Sequence, residues 1–503
     1  MRGPLRRAEL GCPEEGLQLR QRHPHLQGFQ YSEFGTSHLI GGVNAWINRP
    51  SERGEAREQG EQLLNNRPDI IAKAARRILP ILMICYFAAF LDRVNIGFAA
   101  LTMNQDLGFS ASVFGFGAGI FFLGYILCEL PSNLLLLRFG ARIWIARILI
   151  TWGILSAATA FVWNPASFYI VRVLLGAAEA GFFPGMIFYI TLWFPQEYRA
   201  RMFATFNIAV PLSSMIGAPV SGLVIEYMNG LQGLAGWQWM FVIEAVPAVI
   251  MGVVVLLGLP ESPLTATFLR EDERHWLSGR LEAERATQEK QERFTIGRAL
   301  TDPRVLLMCL IAVGLVMGTT GIAIWMPQFV RAFGLSTVQT GFVTAIPSAF
   351  MALAMILVGR HADRTGERVW HAAGPFLVSA VGFVLAALST DPLMGLVGLT
   401  IGAAGIGGAS PNIWIFPTTL LTGAAAAAGI ALINSAGSTG GFFGPSIIGW
   451  VRDATGGFSG AQLVLAGVMA VTATAILILG RSMREMMQRP AAPLSATPRE
   501  VRS

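Results

Sequence analysis

The stretch Leu91-Asp92-Arg93-Val94-Asn95 sets an acid beside a base inside the apolar run from Ile78 to Leu101. Charged groups in a segment long enough to span a bilayer are costly there. They normally face a protein interior or an aqueous cavity and mark a substrate or proton pathway. Glu129 stands in the second apolar run, Arg172 and Glu179 in the fourth, and Glu244 in the sixth. Arg172 and Glu179, seven residues apart, share one helix face. The quartet Asp92, Arg93, Arg172 and Glu179 sums to zero charge. An anion that occupies Arg93 leaves an acid with weakened compensation, and a proton on that acid restores the balance. At an effective dielectric of ~20 and a separation of ~6 Å, one such pair is worth roughly 3 kcal/mol, on the order of a hundredfold in linked affinity. Anion and proton are therefore expected to bind together. Arg93 is the better carboxylate ligand because a guanidinium offers a fixed two-pronged donor.

The elements that must hold these charges are apolar helices. The chain has 503 residues, 53% hydrophobic and 14% charged, with a mean hydropathy of +0.53; soluble domains keep about a quarter of their residues charged. Apolar runs of near-spanning length, about 20 residues, fall at 78–101, 112–137, 141–163, 166–190, 203–228 and 238–259, then at 304–330, 338–360, 372–389, 393–420, 423–450 and 461–481. The fold class expected is an all-α membrane protein, twelve transmembrane helices in two pseudo-symmetric six-helix bundles. Residues 1–70, rich in Arg, Glu, Gln, Gly and Pro, read as a disordered cytoplasmic tail. The first bundle is expected at 71–259, a cytoplasmic linker with amphipathic helices at 260–303, the second bundle at 304–485 and a C-terminal tail at 486–503. In the linker, Phe268, Trp276, Leu277 and Leu281 recur at helical spacing among charges of both signs.

Short loops fix the orientation. Arg76, Arg77, Arg138, Arg142, Arg199, Arg201, Arg360, Arg364, Arg368, Arg481 and Arg484 fall on one side, against Arg331 and Arg452 on the other. Both termini are expected in the cytoplasm, with the chain in the inner membrane. The formal charge of +6 belongs to these loops and does not indicate nucleic acid. The four cysteines show no ligand spacing, so no metal site and no disulfide framework is expected. Nucleophile, base and orienter cannot be assembled, which argues against an enzyme. Gly359-Arg360-His361-Ala362-Asp363-Arg364-Thr365-Gly366-Glu367-Arg368 follows span eight. A partial repeat after span two keeps Arg138, Gly140 and Arg142 but carries Leu137 in place of the acid. Paired loops of this kind suit two halves that rock against each other, with Gly359, Asp363, Arg364 and Gly366 as gating or structural positions.

Twelve spans with this loop resemble the major facilitator superfamily, over residues from about 75 to 485. Leu91-Asp92-Arg93-Val94-Asn95-Ile96-Gly97-Phe98-Ala99, Glu129-Leu130-Pro131-Ser132-Asn133, Gly236-Trp237-Gln238-Trp239 with Glu244, and Gly429-Ile430-Ala431-Leu432-Ile433-Asn434-Ser435 are similar to the anion:cation symporter family, which includes bacterial tartrate, phthalate and 4-hydroxyphenylacetate permeases. That resemblance implies substrate contacts at Arg93, Tyr125, Trp325, Trp414 and Asn434. It implies proton coupling at Asp92 and Glu179 with Arg172 as the partner of Glu179. Asn95 and Glu129 are placed with the gating or structural residues. Thr320 and Ser438 depart from the family pattern. A structural ion pair would give the same signature at Arg172 and Glu179, and Tyr125, Trp325 and Trp414 could equally be core aromatics.

The expected function is a proton-coupled importer of a small organic anion, aromatic or hydroxylated, working as a monomer by alternating access. Protons would be the coupling ion and no other cofactor is expected. An exporter or antiporter of drugs or metabolites is the alternative, followed by a membrane sensor that lacks a recognisable output domain.

Overall fold

The computed structural model describes residues 67–289, 302–420 and 423–488. Most of the expected N-terminal tail, the end of the linker and most of the C-terminal tail lie outside the described residues. The helices are α1 Pro68–Asp106, α2 Ala111–Phe139, α3 Ala141–Ala158, α4 Pro165–Glu179, α5 Phe182–Trp193, α6 Gln196–Asn207, α7 Ala209–Tyr227, α8 Gly236–Gly258 and α9 Glu271–Glu289. Then come α10 Pro303–Arg331, α11 Thr337–Thr365, α12 Val369–Leu388, α13 Pro392–Ile413, α14 Ile415–Leu420, α15 Gly423–Thr455 and α16 Ser459–Gln488. No strand occurs among the described residues. Eleven helical runs among them are long and apolar enough to cross a membrane, with α4–α5 and α6–α7 each counting as one. The 33-residue α15 occupies the place expected for the eleventh of twelve spans.

Local signals start these helices where the sequence supplies oxygen acceptors for free amides. Ser110 accepts from Val113 N, Asp302 from Arg304 N and Asp391 from Met394 N. Asn164 with Ser167, and Ser336 with Gln339, form reciprocal capping pairs. Consecutive spans alternate in direction, so the bundle has one end near the linker and an opposite, far end.

The two halves meet through α1 with α10, α2 with α15, and α7 with α11. Their shared core is at the far end. One apolar cluster joins Phe98, Phe114, Phe168 and Trp237 of the first half to Trp325, Phe329 and Ile448 of the second. A separate cluster holds the linker end of the first half, including Tyr86, Trp152, Phe182 and Trp193. The apolar seam thus closes the far end, where burial holds the halves together. Approach there is close: a Cβ on Gly97 would lie 2.3 Å from the carbonyl oxygen of Ile324, so only glycine fits. Asp453 at the end of α15 also accepts from the free amides of Ala111 at 3.1 Å and Ser112 at 2.7 Å, capping a helix of the other half.

The linker helix α9 docks on the first half. Leu277 and Leu281 are buried in its linker-end cluster, and Phe268 stacks on Trp193 at 5.8 Å. Lys73 pairs with Glu273 at 2.7 Å, Arg199 with Glu284 at 2.8 Å and Arg280 with Glu197 at 3.3 Å. The buried face carries Trp276, Leu277 and Leu281, which recur at helical spacing in the sequence. The loop that follows α11 is tied by charged side chains. Asp363 pairs with Arg368 at 2.8 Å, and Arg368 reaches Asn412 at 3.2 Å. Arg364, the next residue on the helix, is exposed like Asp363 itself. Gly366 ends α11 at φ 70°, and nothing packs against Gly359. In the first-half loop the missing acid is supplied from beyond α8, where Glu261 meets Arg142 at 3.4 Å.

Candidate functional site

Asp92 and Arg93 are neighbours on α1 whose side chains leave in different directions. Asp92 is buried and turns toward α3, accepting from Trp152 Nε1 at 2.6 Å, from Ser156 Oγ, and from Asn95 Nδ2 at 3.3 Å. Trp152 and Ser156 are four residues apart, so one face of α3 holds both donors. Arg93 turns the other way, its side chain 28% exposed, and grips the fully buried Glu179. Nε donates to Glu179 Oε1 at 2.7 Å and Nη2 donates to the same oxygen. Glu179 Oε2 has no hydrogen-bond partner.

Glu179 is also the last residue of its helix. The fourth apolar run reads as one span, 166–190, but the chain breaks at Ala180 and Gly181 and restarts at Phe182. Gly181 sits at φ 85°, a left-handed conformation that residues with a Cβ resist. Pro184 falls in the first turn of the new helix, where its missing N–H costs nothing. Ser132 of α2 stitches the break: its hydroxyl donates to Ala180 O at 2.5 Å and accepts from Trp144 Nε1 at 3.0 Å. The buried carboxylate therefore ends a half-helix near mid-membrane, an arrangement suited to ion sites.

The expected pairing of Arg172 with Glu179 is corrected. Seven residues along a helix is about 10 Å of rise, too far for direct contact, whereas Arg93 reaches across from α1. Arg172 is buried, donates to the carbonyls of Gly117 and Ala118 at 3.4 Å each, and lies 4.9 Å from the Phe121 ring centroid. The Arg93 guanidinium lies 5.9 Å from the same ring and 5.8 Å from that of Tyr125. Phe121 is thus shared between two cations. One turn along α2 from Tyr125, Glu129 accepts from Asn434 Nδ2 of the second half at 3.0 Å.

The structure so brings together Arg93, Glu179, Tyr125, Glu129 and Asn434, with Asp92, Asn95 and Arg172 directly behind. Trp325 is not among them. It is fully buried in the far-end core, donating to Pro445 O at 3.2 Å and meeting Phe114 edge-on. Its bulk and indole N–H serve the seam between halves, at a position where the family resemblance implied a ligand contact. Trp414 lies between α13 and α14 at the linker end, 36% exposed. Trp152, Ser156, Ser132 and Asp453 escaped the sequence reading. The i,i+4 spacing of Trp152 and Ser156 was the one legible hint.

The sequence profile of the Major Facilitator Superfamily matches residues 82–445. The chain is 52% identical over 426 residues to an Agrobacterium vitis protein named "Putative tartrate transporter", covering 85% of this chain and 94% of that protein. It is 40% identical over 382 residues to "Inner membrane transport protein RhmT" of Escherichia coli K12, covering 75% and 87%. Over 402 residues it is 38% identical to "Quinolone resistance transporter" of Acinetobacter baumannii, covering 80% and 92%. Among solved structures, an inward-facing bacterial homolog of the human lysosomal transporter Spinster superposes with a TM-score of 0.70 at 17% identity, over 83% of this chain and 99% of that one. The inward open, partially occluded xylose transporter XylE of E. coli gives 0.65 at 16% identity, over 80% and 97%. At such identities the structures speak to the fold alone.

Proposed function

We propose a transport reaction from one premise: this chain belongs to the Major Facilitator Superfamily. It is a multi-pass membrane transporter of a small molecule and not an enzyme. Our reading is that it imports a hydroxylated or aromatic carboxylate together with protons, that tartrate is the first substrate to test given the relatives' name, and that it needs no cofactor beyond the coupling proton. The observation that carries this is the bond between Arg93 and Glu179. Arg93 alone of the quartet has a partly exposed side chain, while Asp92, Arg172 and Glu179 are buried. An incoming carboxylate competes with Glu179 for the Arg93 guanidinium. Once displaced, Glu179 would be a buried, unpaired carboxylate, a state that costs several kcal/mol unless a proton neutralises it. Anion entry and proton uptake are thereby one event. Tyr125 and Phe121 flank the guanidinium and limit its motion. Asp92 has three donors of its own and acts on Arg172 through space.

With the arginine-rich linker end in the cytoplasm, the closed far end faces outward. Vesicles reconstituted with the protein and given external tartrate should acidify inside as the anion enters. Glu179→Gln should exchange tartrate but not accumulate it against a gradient. Tartrate movement indifferent to a pH gradient would refute the coupling, and uphill accumulation by Glu179→Gln would remove that residue from it.

A further inference from the structure

We infer that Glu244 of α8 is a separate proton-binding site, which holds its proton while the far end is closed. Glu244 is 2% exposed, and the described residues place no salt-bridge cation against it. Its Oε1 lies 2.6 Å from Ser221 Oγ of α7, and that same hydroxyl lies 2.9 Å from the carbonyl of Gly217. A serine has one hydrogen to give. It satisfies the Gly217 carbonyl if the proton between Ser221 and Glu244 comes from the carboxyl. An ionised Glu244 would take that hydrogen from the Gly217 carbonyl, and its Oε2 has no donor in this structure. The neutral acid donates to Ser221 and needs less of its surroundings.

The elements packed against α8 are α1, α3, α7 and the 3-10 turn Thr159–Phe161, which carries no titratable group. Of their titratable groups, Asp92 is the one whose charge acts on Glu244, and it has the same sign. Trp152 and Ser156 on α3 are turned to Asp92. Asn95 stands between the two acids: its amide donates to Asp92 at 3.3 Å, it interacts with the Glu244 carboxyl, and its Oδ1 is an unpartnered buried acceptor. Ser221 also sits directly behind the seam between halves. Beside it, a Cβ on Gly341 of α11 would lie 2.7 Å from Ala218 O of α7, and one on Gly222 would lie 3.0 Å from Thr337 O. Loss of the proton puts a charge behind that seam, so protonation of Glu244 favours the closed far end. The Arg93–Glu179 pair takes no part, and the inference stands whether or not transport at that pair is proton-coupled.

The test is infrared difference spectroscopy of the purified protein at neutral pH, with far-end distances from spin labels as a function of pH. Wild type minus Glu244→Gln should show a carboxylic C=O band, the band should shift in Ser221→Ala, and Glu179→Gln should leave it in place. Raising the pH should abolish the band and lengthen the far-end distance, whereas Glu244→Gln, which keeps a neutral donor, should hold the short distance at every pH. A wild-type spectrum without that band shows Glu244 ionised and overturns the site. A band that titrates while the far-end distance stays fixed overturns its link to closure. Should Glu244→Gln misfold, the Ser221→Ala shift alone decides the first point.

Discussion

Replacing Asp453 by Ala should open the far end. Its carboxylate accepts from Ala111 N at 3.1 Å and Ser112 N at 2.7 Å, the first amides of a helix in the other half. Helix α2 keeps its own cap, because Ser110 accepts from Val113 N at 3.2 Å. The substitution therefore removes a bond between halves rather than the start of a helix. Hydrogen bonds to a charged group are worth about 1.5–3 kcal/mol each. Asp453 is exposed, so the value for losing a helix cap, typically about 1 kcal/mol and up to about 2, is the better guide. That is roughly a 5- to 30-fold shift from closed toward open. Spin labels at positions 231 and 390, in far-end loops of the two halves, would read it by pulsed electron resonance, with a long-distance population growing in Asp453→Ala. An unchanged distribution in a variant of normal thermal stability would refute the reasoning. The pH dependence has a definite sign. Burial raises the Asp453 carboxyl, but the bonds from Ser112, from the Ser110 hydroxyl and from the Ala111 amide together outweigh it and hold the group below the usual range. Its contribution is complete above the ordinary value of about 3.9 and fades as pH falls through the depressed one. Between about pH 5 and 8 this lock should not titrate, so any far-end response there must come from another group.

Gly181→Ala should lower thermal stability by roughly 1–2 kcal/mol from the left-handed backbone alone, and by more because the new Cβ would lie 2.3 Å from Ser132 Oγ. Adding Ser132→Ala should recover only the steric part in a double-mutant cycle, and strict additivity would refute the stitched break. Asn434→Asp sets a second carboxylate against Glu129, where the two must share a proton. Initial uptake should then fall more steeply with rising pH than in wild type, and an identical profile would place the pair outside the transport path. Leu277→Asp puts a carboxylate at a fully buried position of the linker helix. The cost of several kcal/mol should undock α9 and speed limited proteolysis, and an unchanged cleavage rate would show that the docking is unimportant.

What the sequence determined by itself is whatever depends on neighbours along the chain. Apolar runs of bilayer length announced the spans, the interruption between them announced two halves, and Asp92, Arg93, Arg172 and Glu179 stood out because charge in such runs demands a reason. Trp276, Leu277 and Leu281 announced a buried face of the linker by their period. Pairing across helices was not legible. The partner of Glu179 depends on how α1 and α4 are rotated and on the reach of an arginine, so the structure chose Arg93 over Arg172. Trp325 carries the same aromatic label as a ligand contact, and only its place in the far-end seam made it core. The break at Gly181 was hidden because apolar residues continue through it, and it persists because Ser132, 49 positions earlier in the chain, supplies the missing hydrogen bond. Hydrophobicity is a property of one segment, and it placed the helices in the membrane. Hydrogen bonds and ion pairs require two side chains to meet in space, and that was decided only when the helices came together.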